Sequence, residues 1–123
     1  MADVQALHTM GEDEQLLHHF NDTVLSKIEL TLGCWVIFGR VYIQNLDDDP
    51  QHVTVRMFRE ANMDVDLDTI TIYQSSMDAV CYSLHALVAL RKPSTITLMC
   101  NTYHGQANKP MLLAMVVDVV EEV

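Results

Sequence analysis

Along most of this chain apolar residues return at every second position, and from Val24 onward they come in short runs rich in β-branched and aromatic residues, separated by turn signals. That period predicts strands, and the regular turns predict an all-β protein. Cys34 to Ile43 sets Trp35, Ile37, Gly39, Val41 and Ile43 on one face and Cys34, Val36, Phe38, Arg40 and Tyr42 on the other. Both faces are largely apolar, as expected of a strand buried centrally in a sheet. Asn45 to Pro50 breaks the run. Val53, Val55 and Met57 then alternate with Thr54, Arg56 and Phe58, which predicts a hairpin partner with a wetter outer face. Shorter half-buried strands are expected next, with Val65 and Leu67 set among Asp64, Asp66 and Asp68, and Ile70 and Ile72 among Thr69, Thr71 and Tyr73.

Residues 77–91 fit two elements. Met77, Val80, Cys81, Leu84, Leu87 and Val88 fall at helical spacing between Ser76, placed to cap, and Pro93, placed to stop, yet Val80, Tyr82 and Leu84 also alternate. The consistently β surroundings favour a strand. Ile96, Leu98 and Cys100 alternate with Thr95, Thr97 and Met99, and residues 112–120 are apolar on both faces, which places the last strand inside a sheet. Residues 1–14 are polar and acidic without a period, predicting a flexible lead-in before a single domain over 15–123. Leu16, Leu17 and Phe20 fit one face of a short N-terminal helix closed by Asn21-Asp22-Thr23. About seven to nine strands with short loops suit two packed antiparallel sheets, a jelly-roll sandwich.

The 123 residues suffice for a core without staples, because a chain of this length buries about two-thirds of the surface its unfolded form exposes. Seven Lys and Arg against 17 Asp and Glu leave a formal charge of −10, spread along the chain. Nucleic acid and anionic membranes are therefore not expected partners. No basic start with an apolar run opens the sequence, and Gly11-Glu12-Asp13-Glu14 stands where the apolar part of a signal peptide belongs. The longest purely apolar stretch, Met111 to Val117, falls far short of the roughly 20 residues of a membrane helix. A soluble, cytoplasmic protein is expected, with export by another route or association with a particle left open. Cys34, Cys81 and Cys100 form no C-x-x-C pair and read as buried free thiols.

The segment Leu30-Thr31-Leu32-Gly33-Cys34-Trp35-Val36-Ile37-Phe38-Gly39-Arg40-Val41-Tyr42-Ile43-Gln44-Asn45 resembles the "glycine, aromatic, alternating strand, Asn" segment of tumour-necrosis-factor/C1q-like jelly rolls. Ile96 to Cys100 resembles a penultimate strand of that class, and Leu112 to Val117 its closing strand. The similarity is closest to small single-domain bacterial jelly rolls and runs from about Thr23 to Val120. Its motifs are core-forming patterns, so it bears on fold more than on function. It implies a compact trimer used for binding or assembly, with no catalytic residues to carry over.

Asp47-Asp48-Asp49, with Gln44, Asn45 and His52 nearby, offers the hard oxygens that Ca²⁺ prefers, although the spacing is not that of an EF-hand and a solvated turn explains it as well. Asp64, Asp66 and Asp68 share one face of an extended strand, most simply the wet face of an edge strand. His8, His18, His19, His52, His85 and His104 show no His-x-His or His-x-x-x-His spacing, and the adjacent rings of His18 and His19 should point apart in helix or strand. Cys81 and Cys100 each precede a histidine by four residues, a neighbourly spacing only on a helix, and read as core. Asn101 to Asn108 is a polar loop in which Tyr103 and His104 are candidate ligand contacts for a glycan or protein.

Strands apolar on both faces, together with 8 Met, exceed what one small sandwich can bury and point to self-association, with Phe38 and Tyr42 as leading contact residues. The expected protein is non-catalytic, needs no cofactor, and self-associates as a trimer for binding or structural assembly. Two alternatives stand beside it: a small carbohydrate- or metal-dependent enzyme or lectin, and a structural protein of a phage-like virion or tail.

Overall fold

The computed structural model describes residues 6–117. Among these, nine strands follow one another: β1 (Ala6–Met10), β2 (Glu14–His18), β3 (Thr23–Leu30), β4 (Gly33–Asn45), β5 (Gln51–Arg59), β6 (Asn62–Gln74), β7 (Ala79–Leu90), β8 (Ser94–Asn101) and β9 (His104–Val116). One antiparallel sheet runs β1-β9-β4-β7, with β2 also on β9, and the other runs β3-β8-β5-β6. From β2 onward every connection except the two-residue β5–β6 turn passes from one sheet to the other, which is the jelly-roll path. The stretch at 77–91 is strand β7, and β9 lies between β4 and the two N-terminal strands, inside its sheet.

The core forms where the inward faces meet. Trp35, Ile37, Val41 and Ile43 from β4 pack with Val53, Val55 and Met57 from β5, Tyr82 and Leu84 from β7, Leu98 from β8 and Leu112 from β9. Period-two alternation puts these residues on one side of each strand, so burying them fixes the register. Gly39 lies where the core is closely filled, and an added Cβ would come 3.2 Å from a Leu98 methyl and 3.3 Å from one of Leu112. The Trp35 indole satisfies its N–H on the Thr31 carbonyl at 2.9 Å.

Four expectations are corrected. β4 and β5 are not hairpin partners: they lie in opposite sheets, because the loop between them is long enough to span the roughly 10 Å gap and both strands aim their apolar faces into the same core. No helix forms at Leu16, Leu17 and Phe20, since only Leu17 is buried and β2 pairs with β9 from Glu14↔Asn108 to His18↔His104. The segment expected as a flexible lead-in supplies β1, paired with β9 from Ala6↔Met115 to Met10↔Met111, and a boundary at 15 falls inside β2. Both strands cover an edge of β9 that would otherwise leave a row of backbone groups unpaired. The two short strands expected around Asp64 to Tyr73 are one, β6, of 13 residues. Residues 1–5 of that lead-in and 118–120 of the closing strand lie outside the described residues.

Candidate functional site

Three features distinguish the surface: the outer face of the β4-containing sheet, the end of the sandwich where loops gather, and the acidic segments.

The outer face of β9, β4 and β7 is apolar over half its length. Phe38 stands opposite Leu113 of β9 and His85 of β7, and Val36 opposite Met115 and Leu87. Leu87 is 74% exposed, Phe38 41% and Tyr42 39%, so the strand expected to be buried on both sides is open on one. Cys34 and Cys81 point the same way; Cys81 is exposed and Cys34 half-buried, which corrects their assignment to the core. The opposite sheet shows the contrast. Its outer face carries Lys27, Glu29, Thr54, Thr71 and the Arg56–Asp66 ion pair at 2.6 Å; Phe58 there is buried beneath the Arg56 guanidinium, while Val24 and Tyr73, the latter against the His52 ring, stay exposed but apart from each other.

At the loop end a buried polar network holds three connections together. The Asn45 side chain, fully buried, donates to the carbonyls of Asp49, Gln74 and Ser75 at 3.0–3.1 Å and accepts from the Asp47 N–H and from Gln51 Nε2. Gln51 in turn accepts from the N–H groups of Tyr103 and His104. Gln74 donates to the Ile43 and Asp78 carbonyls and accepts from the Tyr82 hydroxyl at 2.9 Å. Burial, then the nearby Cys100, raises the Tyr82 phenol above its ordinary range, and burial pushes the Cys100 thiol up to about 12. Cys100 is thus held as an unreactive thiol, since the thiolate is the nucleophile.

On this base sits a strained turn. His19 and Phe20 both have left-handed backbone, φ 55 and 57, where glycine would be at ease. The turn is clamped by the His19 N–H on the Tyr103 carbonyl, the Phe20 N–H on that of Thr102, and Asn101 Nδ2 on the Phe20 carbonyl. Its effect is to bring side chains together: the His18 ring centroid lies 6.0 Å from those of both His19 and His104, and Tyr103 lies 5.7 Å from His19 and 5.6 Å from Phe20. The adjacent rings therefore do not point apart, because the left-handed turn folds His19 back beside His18. Tyr103 and His104, expected on a long loop, occupy a two-residue sheet-to-sheet corner and the first position of β9.

The acidic candidates separate. Asp47, Asp48 and Asp49 lie in a loop shaped by Asn45, and Ser76 Oγ is bonded to the Asp47 carbonyl. Among the described residues no three His, Cys, Asp or Glu side chains converge as a metal site. Asp66 pairs with Arg56, whereas Asp68 accepts from the N–H groups of Thr69 and His85, stitching β6 to β7 across the edge of the sandwich. A register shift between Met57 and Phe58 separates the two, so they do not share a wet face; the Asp64 side chain lies outside the described residues.

The sequence reading missed Leu87, Val36, Leu113 and Met115 as surface residues. Leu87 was legible, for it alternates outward with His85 and Ala89 once β7 is a strand.

No protein-family model matches this chain, and no curated protein matches it in sequence. Solved structures do. A structure of the infectious bursal disease virus Gx strain superimposes with a TM-score of 0.70 at 8% identity, over 94% of this chain and 33% of that one. This chain thus spans about a third of that viral chain. The Eiger tumour necrosis factor of S. frugiperda gives 0.69 at 10% identity, over 97% and 96% of the two chains, and the globular domain of zebrafish complement 1qA gives 0.58 at 7%, over 95% and 98%. The fold is the tumour-necrosis-factor/C1q-like jelly roll. At these identities the likeness concerns fold alone, and function has to be argued from this chain's own surface.

Proposed function

We propose that this jelly roll is a non-catalytic module that assembles with copies of itself, as a trimer, through the outer face of β9, β4 and β7, and serves binding or structural assembly. The observation that carries the reading is the asymmetry of the two outer faces. Val36, Phe38, Leu87, Leu113 and Met115 form one contiguous apolar area, while on the other sheet the exposed Val24 and Tyr73 stand on strands β3 and β6, among threonines and charged residues. Contiguous exposed apolar surface on a small protein marks an interaction site, and a closed symmetric assembly buries the same patch on every copy. Methionines at the margin, Met10, Met111 and Met115, add adaptable contact surface.

Sedimentation equilibrium tests this. Wild-type protein should sediment at three times the chain mass, and Phe38→Glu or Leu87→Glu should sediment as folded monomers with native circular dichroism. Variants that keep the wild-type mass refute the placement of the contact.

A second reading, a coat or tail component of a virus-like particle, is supported by the likeness to the infectious bursal disease virus structure. It uses the same self-associating face and predicts larger assemblies than a trimer.

A further inference from the structure

The polar half of the same outer face carries a feature that self-association does not explain. Arg40, Tyr42, Asn108 and Lys109 line a depression of about 430 Å³. Asn108 and Lys109 also border a second, of about 400 Å³, completed by Asp13, Glu14, Gln44 and Gln106. The two adjoin at Asn108 and Lys109, taken together as one hollow, and each falls within the size range of small-ligand sites.

A β-bulge builds it. Between the pairs Arg40↔Met111 and Tyr42↔Asn108, β4 places one residue and β9 two, Lys109 and Pro110. Lys109 absorbs the extra length with left-handed backbone, φ 51, and its N–H is held by the Asp13 carbonyl at 2.8 Å. Bulges re-aim side chains, and this one lines the hollow with Lys109 beside Arg40 and Asn108. Two cations side by side are unexpected in a chain with 7 Lys and Arg against 17 Asp and Glu. Neither makes an ion pair among the described residues, whose ion pairs are Lys27–Glu60 and Arg56–Asp66. The Arg40 guanidinium rests 5.9 Å from the Tyr42 ring centroid, which steadies it at the rim.

The hollow therefore has a cationic end, Arg40 and Lys109, and an end of amides and carboxylates, Gln44, Gln106, Asp13 and Glu14. We propose that it binds an acidic monosaccharide. The guanidinium and ammonium receive the sugar carboxylate, for which a planar fork of donors is the matched geometry. The amides and carboxylates at the other end offer paired donors and acceptors for hydroxyl groups, and Tyr42 gives a flat flank for the ring. Asp13 and Glu14 repel an extended polyanion, which argues for a ligand with its charge at one end. Every residue comes from one chain, so the site is complete in a single copy.

Isothermal titration of the full chain with galacturonate, glucuronate, N-acetylneuraminate, galactose and inorganic phosphate tests the proposal. At least one acidic sugar should bind, with galactose and phosphate weaker by at least roughly tenfold, and Arg40→Gln/Lys109→Gln should lose at least roughly tenfold in affinity for that acid. Both substituted residues are exposed, and an unchanged melting curve shows that the variant is folded. Binding of none of the acids, equal binding of phosphate, or unaltered binding by the folded double variant overturns the assignment.

Discussion

Removing the Asn45 side chain tests the polar network that holds the loop end. In Asn45→Ala the carbonyls of Asp49, Gln74 and Ser75 lose a donor, and the Asp47 N–H and Gln51 Nε2 lose an acceptor. The three contacts at the rim, with Asp47, Asp49 and Ser75, can be replaced by water and should matter by a few tenths of a kcal/mol each. Those with Gln74 and Gln51 are buried, and a buried group left without its partner costs about 1–3 kcal/mol. Gln51 Nε2 keeps a second acceptor in the His104 carbonyl, which moderates the loss. The expected total is about 2–4 kcal/mol, a large part of the roughly 5–15 kcal/mol that holds a domain of this size together. Urea unfolding at fixed protein concentration measures it, with the slope m checked for constancy. Asn45→Asp, which keeps the acceptor but turns oxygens toward three carbonyls, should be at least as harmful. A loss below about 1 kcal/mol in Asn45→Ala at unchanged m would refute the reasoning.

Stability should fall as pH rises above 9. The Cys100 thiol, at about 12 in the folded chain against 9.0 in the open one, stays protonated while the unfolded form ionises, so the folded state holds more protons and loses ground as pH rises toward 12. Tyr82 adds to this above pH 10, each group contributing at most about 1.4 kcal/mol per pH unit. Cys100→Ala removes the part that begins near pH 9, and a flat stability curve from pH 9 to 11 would contradict the assignment. His19→Gly relieves a left-handed position worth about 1–2 kcal/mol of strain but gives up its ring contacts, so stability should hold or rise; a thermal melt lower by the equivalent of more than about 1 kcal/mol would show that the ring cluster outweighs the strain.

Alternation of apolar residues made most strands legible, because a period of two has only one way to fill a core between two sheets. At 77–91 alternation and helical spacing both fit, and it was the consistently β surroundings, not the period itself, that pointed to strand β7. What alternation does not encode is which strand pairs with which. Val53, Val55 and Met57 fit equally well beside β4 or across from it, and the choice falls to a loop braced by Asn45 and Gln51. The N-terminal strands escaped for a different reason. β1 and β2 pair with β9 chiefly through backbone, and of their described side chains only Leu17 is fully buried, so no hydrophobic period announces them. Phe38 and Tyr42, proposed as contact residues, stand exposed because side chains on the second face of β4 have no core to enter. The hollow beside them was not, because it depends on a bulge that sets Lys109 next to Arg40, and on Glu14 lying in β2.

Native mass spectrometry of protein purified without added metal tests self-association most directly, since one spectrum reports subunit count and bound ions together. A metal-free trimer is the predicted result. A monomer carrying a stoichiometric divalent ion would contradict the account, and would turn attention from Phe38 and Leu87 to Asp47, Asp48, Asp49 and the histidines.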